Sequence, residues 1–310
     1  MKFGLDVGVY GRLATPENIV PLAELADAAG FDSVWLADHV VFPVEIQSRY
    51  PYNPSGQFPV PGSEPLLEPI ATMGVLAGVT KHVKIGTAVL VMPYRNPVVL
   101  AKMLTTYDVF TGGRIILGAG VGWLEEEFRA LDTRAFDARG AVTDEYIDLF
   151  KRLCEGGEVS FDGEHYQLET VRAYPPSVQR PSIPVVIGGT SNAALRRVAA
   201  RGEGWLSVAL TMDRIPERLS WLRQAMAAEG RAFDDLMLLH KLFINIGQER
   251  ESVYGGREPG TGSLSQVIDD VKAVAGLGFG HVVIRYLGAD AGEQTAQLQR
   301  FVDEVIPKVS

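Results

Sequence analysis

The chain is predicted to fold as an α/β protein, a closed (β/α)8 TIM barrel, and three observations carry that expectation. Eight β-rich runs alternate with amphipathic helical segments; 310 residues suit one such barrel; and the helix-to-strand junctions repeat a pattern. AAGFDSVW at 28–35 and GLGFGHVVI at 276–284 both read helix end, glycine, phenylalanine, strand. A doubly wound open sheet shares the alternation and is the competing architecture, but eight roughly even units favour closure. The expectation is a single domain over residues 1–310, with an inserted excursion of helix and hairpin at about 122–182 between strands 4 and 5.

Lys2 to Val7 is the first predicted strand. Thr15-Pro16-Glu17 opens a helix as N-cap, first-turn proline and dipole-matching acid, and Ile19, Leu22, Ala23 and Ala26 recur at helical spacing before Gly30 ends it. Ser33 to Leu36 is the second strand. Residues 42–65 form a connection rich in proline and tyrosine, longer than an idle loop, which is expected to cover a substrate pocket or to serve as a structural loop or dimer contact. A helix then runs through Leu67, Ile70 and Leu76. Val83 to Val91 is the third strand, Asn96-Pro97 caps a helix reaching Phe110, and Arg114 to Ala119 is the fourth. The excursion holds helices at 125–130 and 141–154 and a hairpin, VSFDGEHYQL, turning at Asp162-Gly163. Strands at 183–187, 204–208, 236–246 and 281–285 then alternate with helices at 191–201, 216–229 and 264–277 and a last helix ending at Ile306.

Composition removes several classes of function. The chain is 46% hydrophobic and 22% charged with a net charge of -9, so nothing offers a basic footprint to nucleic acid or to an anionic membrane. MKFGLDVGVYG has no signal-peptide core, and no run reaches membrane-spanning length. The single cysteine, Cys154, excludes an internal disulfide framework and fits a reducing compartment, so a cytoplasmic protein is expected. HExxH and GxSxG are absent and the five histidines are far apart, which argues against a metal site and a hydrolase elbow.

In such a barrel the chemistry sits at the C-terminal ends of the strands. His39 falls there, just past the second strand in VWLADHVVFP, and the adjacent Asp38 is expected to orient it or raise its basicity as a general acid/base. His82 and His281 lie at strand starts on the stability rim, His240 is mid-strand, and His165 is in the hairpin. GAGVG at 118–122 lacks the third glycine of a dinucleotide fingerprint and reads as a glycine-rich loop beside a flat ligand or a tight turn. In VVIGGTSNAALRRV a strand meets Gly188-Gly189, and Thr190-Ser191-Asn192 start a helix, a phosphate-binding arrangement whose alternative is a simple N-cap.

AGFDSVWLADHVVFP, VKIGTAVLVMPYRNPVVLAKMLTTYDVFTGGRIILGAGVGWLEEEF, RGAVTDEY and PVVIGGTS, in that order, resemble the luciferase-like flavin monooxygenase superfamily, and more closely its branch using the deazaflavin coenzyme F420. The resemblance covers nearly the whole chain. It implies that Asp38 and His39 lie near the reactive centre of the ring, with His39 the catalytic proton donor or acceptor. It implies that Ala88-Val89 form a bulge, often a non-proline cis peptide, against the back face of the ring. Gly120 and Gly122 would border the ring edge, and Gly188, Gly189 and Thr190 would cradle the cofactor phosphate. Arg12, Arg49, Arg95 and Arg285 are the basic groups available to the acidic tail of F420. A homodimer packed through barrel helices is implied as well.

One departure bears on substrate. The sugar-phosphate dehydrogenases of the superfamily carry a tryptophan four residues beyond the active histidine and a glutamate directly after the glycine loop; Pro43 and Trp123 stand there in this chain. The reading is therefore an F420-dependent oxidoreductase acting on a small organic substrate. Its alternatives are an FMN-dependent monooxygenase supplied with reduced flavin by a separate reductase, and a non-catalytic flavin or deazaflavin carrier.

Overall fold

Eight parallel strands close on themselves in the computed structural model, which describes residues 1–60, 62–133 and 136–309. They are β1 (Lys2–Asp6), β2 (Ser33–Leu36), β3 (Lys84–Thr87), β4 (Ile115–Gly120), β5 (Val185–Gly188), β6 (Gly204–Ser207), β7 (Met237–Ile246) and β8 (His281–Tyr286). Neighbours in sequence are neighbours in space, and β8 returns to β1 in the register Lys2↔His281 through Leu5↔Ile284. That last ladder excludes the open sheet, because a doubly wound fold leaves two edges unpaired.

The helices form the outer layer: α1 (Pro16–Ala28), α2 (Pro69–Val79), α3 (Pro97–Thr111), α4 (Glu125–Ala130), α5 (Arg139–Glu155), α6 (Asn192–Arg201), α7 (Ile215–Ala228), α8 (Leu264–Gly276) and α9 (Ala291–Arg300). Their caps follow sequence chemistry. Asn96 Oδ1 accepts from the amides of Val98 and Val99, and Ser263 and Gln266 form a reciprocal capping box on α8. Thr15 occupies the N-cap of α1 in extended conformation, but its side chain makes no capping bond, so the start of α1 rests on Pro16 and Glu17. No helix among the described residues is long and apolar enough to cross a membrane.

Two apolar layers result. Ile19, Leu22, Ala23 and Ala26 of α1 join the large layer between strands and helices. Inside the barrel Trp35, Ile116, Val186, Leu206, Leu239 and Val283 pack together. Trp35 fills the lumen so closely that a Cβ on Gly86 would lie 2.6 Å from its ring and one on Gly4 2.5 Å from Nε1. Below it, Ser33 Oγ accepts from Trp35 Nε1 at 2.7 Å and bonds His281 Nε2 at 3.0 Å, which plugs the floor and leaves the opposite end for chemistry.

Two predicted elements change form. The third strand, which local pattern reads as one run from Val83 to Val91, stops at Thr87; the bulge expected at Ala88-Val89 follows, its peptide cis, and pairing resumes at Leu90–Val91 against Ala119–Gly120. The hairpin is longer than expected, Gly157–Asp162 against Gln167–Ala173, and its turn closes with Gly163 N on Tyr166 O at 3.0 Å.

Candidate active site

β2 carries His39 to the barrel mouth, where its ring is held from an unexpected direction. Nδ1 lies 2.7 Å from Glu127 Oε2 of α4. The same oxygen accepts from Tyr94 Oη at 2.8 Å, while Oε1 accepts from the amides of Val40 at 2.6 Å and Val41 at 3.2 Å. Glu127 is fully buried, and four donors on its two oxygens replace the water it has lost. With Nδ1 donating to this carboxylate, Nε2 is the nitrogen that can exchange a proton with a ligand.

Asp38 does not orient His39, contrary to the sequence expectation. Its carboxylate receives both terminal nitrogens of Arg95, at 2.7 and 2.8 Å, and the amide of Val91 at 2.8 Å. Arg95 in turn reaches Glu68 at 3.1 Å through Nε. Burial pushes the Asp38 carboxyl up, and the guanidinium opposes that shift. The residue thereby pins the end of β2 to the segment that follows the cis peptide.

The bulge explains most of the glycines. A Cβ on Gly120 would lie 2.4 Å from Val89 Cγ2, one on Gly188 2.6 Å from Val89 Cγ1, and one on Gly118 1.7 Å from the Thr87 carbonyl oxygen. Ala88 and Val89 thus occupy room that glycines in two neighbouring strands leave open, presenting an apolar step at the mouth. Gly122, at φ +80, and Gly189, at φ +110, take left-handed conformations in the loops after β4 and β5. Ser191 caps α6 by accepting from Ala194 N at 3.2 Å, no acid stands in the first turn, and Arg218 donates to Asn192 Oδ1 at 2.8 Å. Thr190 precedes this cap half-buried, so a positive helix end faces the loop that carries Gly188 and Gly189.

Residues 42–60 cross the mouth as a run of aromatic contacts. Phe42 lies 4.6 Å and Phe58 5.3 Å from the His39 ring, and Trp123 from the loop after β4 lies 6.0 Å from it. Tyr50 touches both Phe58 and Trp123, and Tyr52 approaches Gly189. Glu126 clasps this connection from α4 by accepting from the amides of Gln47 at 2.8 Å and Ser48 at 3.1 Å, and bonds from Ser48 and these amides bring its carboxyl down to about 2 although burial opposes them. Consecutive glutamates of one short helix therefore hold the covering loop and the histidine beneath it.

A second polar group lies deeper. Asp6 of β1 pairs with Lys241 of β7 and lies 3.7 Å from Arg285 of β8. Burial pushes the Asp6 carboxyl up, yet the two cations bring it below its ordinary value. Arg12, Arg49, Arg95 and Arg285 do not converge: Arg12 bonds the Ala289 carbonyl, Arg49 the Pro54 carbonyl, Arg95 Asp38 and Glu68, and Arg285 covers the Tyr10 ring.

The remaining histidines have structural surroundings. His281 sits in the barrel floor, and His240 bonds Ser207 Oγ at 2.6 Å and packs on Phe279; burial brings both down to about 4. His82 is exposed and His165 half-buried in the hairpin. Sequence reasoning missed Glu127 and Tyr94. WLEEEF did hold a signal, since Glu127 falls three residues after Leu124 and beside Phe128, an acid on the apolar face of a helix.

Comparison with known proteins agrees with this architecture. The profile of the Luciferase-like monooxygenase family matches residues 2–282. An uncharacterized protein of Mycobacterium tuberculosis is 33% identical over 208 residues, covering 66% of this chain and 71% of its own. An F420-dependent glucose-6-phosphate dehydrogenase of Nakamurella multipartita is 30% identical over 256 residues, covering 78% and 69%. Among solved structures, an F420-dependent secondary alcohol dehydrogenase aligns over 100% of this chain and 99% of its own with a TM-score of 0.81 at 16% identity. The monooxygenase RslO1 of Streptomyces bottropensis aligns over 100% of both chains at 0.78 and 18%. The chain belongs to the luciferase-like monooxygenase family, a family of oxidoreductases.

Proposed function

We propose that this chain is an F420-dependent oxidoreductase in which His39 handles the proton that accompanies hydride transfer to or from a small organic substrate. The observation that carries the reading is the His39–Glu127 pair at 2.7 Å, which commits Nδ1 and leaves Nε2 at the barrel mouth. The residues fit a flat ring with a phosphate tail. The Ala88–Val89 step offers an apolar face, and the glycine turn before α6 offers amides at a positive helix end. Gly120 borders that step and Gly122 lies next to Val91, Asp38 fixes the step through Val91, and Gly188, Gly189 and Thr190 lead to the helix end. When bound, the deazaflavin supplies two-electron hydride chemistry.

The relatives named for F420 support this cofactor, while similarity to RslO1 makes FMN the alternative. A cytoplasmic location follows in this reading from the lone buried Cys154. His39→Ala is expected to fold and to bind F420 with the wild-type affinity while losing about 100-fold or more of turnover, the range lost with a positioned acid or base. Fluorescence titration with F420 and steady-state kinetics read the two effects separately, and unchanged turnover would remove His39 from the chemistry.

A further inference from the structure

Aromatic side chains stand close around the His39 ring, and His39 is only 6% exposed. Phe42, Phe58 and Trp123 contact the imidazole directly. Behind them Tyr50 lies 5.0 Å from Phe58 and 5.1 Å from Trp123, Tyr10 lies 5.8 Å from Phe58, and Phe58 stacks on Trp123 at 5.7 Å with the planes 28° apart. These rings come from three stretches far apart in sequence, after β1, after β2 and after β4. Phe42, Tyr50, Phe58 and Trp123 are each half-buried, so the enclosure keeps surface for a ligand. Burial pushes the Tyr50 hydroxyl far above its ordinary value and keeps it neutral. Arg285 borders the set, 4.6 Å over Tyr10, with its charge answered by Asp6.

A ligand oxygen that reaches Nε2 must bring its body into this enclosure. A phosphoryl or polyhydroxyl body would leave oxygens unpaired against ring faces. A flat apolar body exchanges water for offset and edge-on ring contacts. Trp123, from the loop after β4, is itself one wall of the enclosure.

We propose that the substrate is a neutral molecule built on a flat apolar ring and carrying one hydroxyl or carbonyl oxygen. The ring is held by Phe42, Phe58 and Trp123 while the oxygen meets His39 Nε2. The inference rests on the proposed F420-dependent activity and names its substrate class. In the oxidising direction the substrate O–H proton passes to Nε2, the C–H bond of the hydroxyl-bearing carbon breaks with its hydride going to the oxidised deazaflavin, and a carbonyl remains; the reducing direction reverses each transfer.

Calorimetric titration with 1-tetralone, a neutral fused-ring ketone, and with glucose 6-phosphate tests the proposal on protein alone and on protein saturated with F420. Wild type is expected to bind 1-tetralone in at least one of these forms and to show no heat with glucose 6-phosphate. Phe58→Ala is expected to weaken 1-tetralone about tenfold or more, and Phe58→Leu, which keeps bulk but loses the ring, to fall between. Thermal melts establish that both variants fold. Tighter binding of glucose 6-phosphate than of 1-tetralone, or equal 1-tetralone affinity in wild type and Phe58→Ala, overturns the proposal. F420 is titrated separately by its own fluorescence. F420 bound without 1-tetralone overturns the ring enclosure alone, whereas 1-tetralone bound through Phe58 without F420 supports the enclosure and overturns the coenzyme reading.

Discussion

Glu127 accepts from His39, Tyr94, Val40 and Val41 at once, so replacing it disturbs the hold on the imidazole and on the chain beside it. Glu127→Gln keeps the shape but places an amide, able to donate, where only an acceptor stood. Turnover is expected to fall about 100-fold with F420 affinity retained, since outer partners of a working histidine carry effects of about 10- to 100-fold. Unchanged turnover would reduce Glu127 to packing. His39 itself was legible in the sequence because a strand of buried residues ended in a titratable pair. Its partner was not, for a geometric reason: successive side chains on an extended chain point to opposite sides, so Asp38 turns to Arg95 while His39 turns to α4. Adjacency in sequence was the wrong guide, and the acid on the buried face of WLEEEF was the better one.

The bulge after β3 depends on glycines in two neighbouring strands rather than on residues of its own. Val83 to Val91 is rich in valine, isoleucine and leucine, so local pattern reads one strand; the room for the bulge is written at Gly118, Gly120 and Gly188. Gly188 has an ordinary backbone conformation, and its substitution acts through space alone. Gly188→Ala is expected to lower unfolding free energy by about 1–3 kcal/mol through overpacking against Val89. Adding Val89→Ala should restore most of it, a coupling that denaturant titration of the double-mutant cycle measures. Additive losses would show that Val89 is not what excludes a side chain at Gly188. The same geometry divides the two glycine-rich motifs: Gly120 and Gly188 make room for Val89, while Gly122 and Gly189 supply left-handed turns.

Periodicity made the barrel legible at the scale of the whole molecule, because each amphipathic helix needs a strand layer to cover and eight such units close a sheet. The path of residues 42–60 across the mouth was not legible, since it is fixed by long-range ring contacts and by Glu126 rather than by local propensity. The barrel, the paired His39 and Glu127, and the glycine turn before α6 meet at one mouth, the site proposed for the deazaflavin. Titration of the purified protein with F420 and, separately, with FMN, followed by cofactor fluorescence, measures that directly. Saturable one-to-one binding of F420 at micromolar concentration, tighter than FMN, is the predicted result; binding of FMN alone would contradict it.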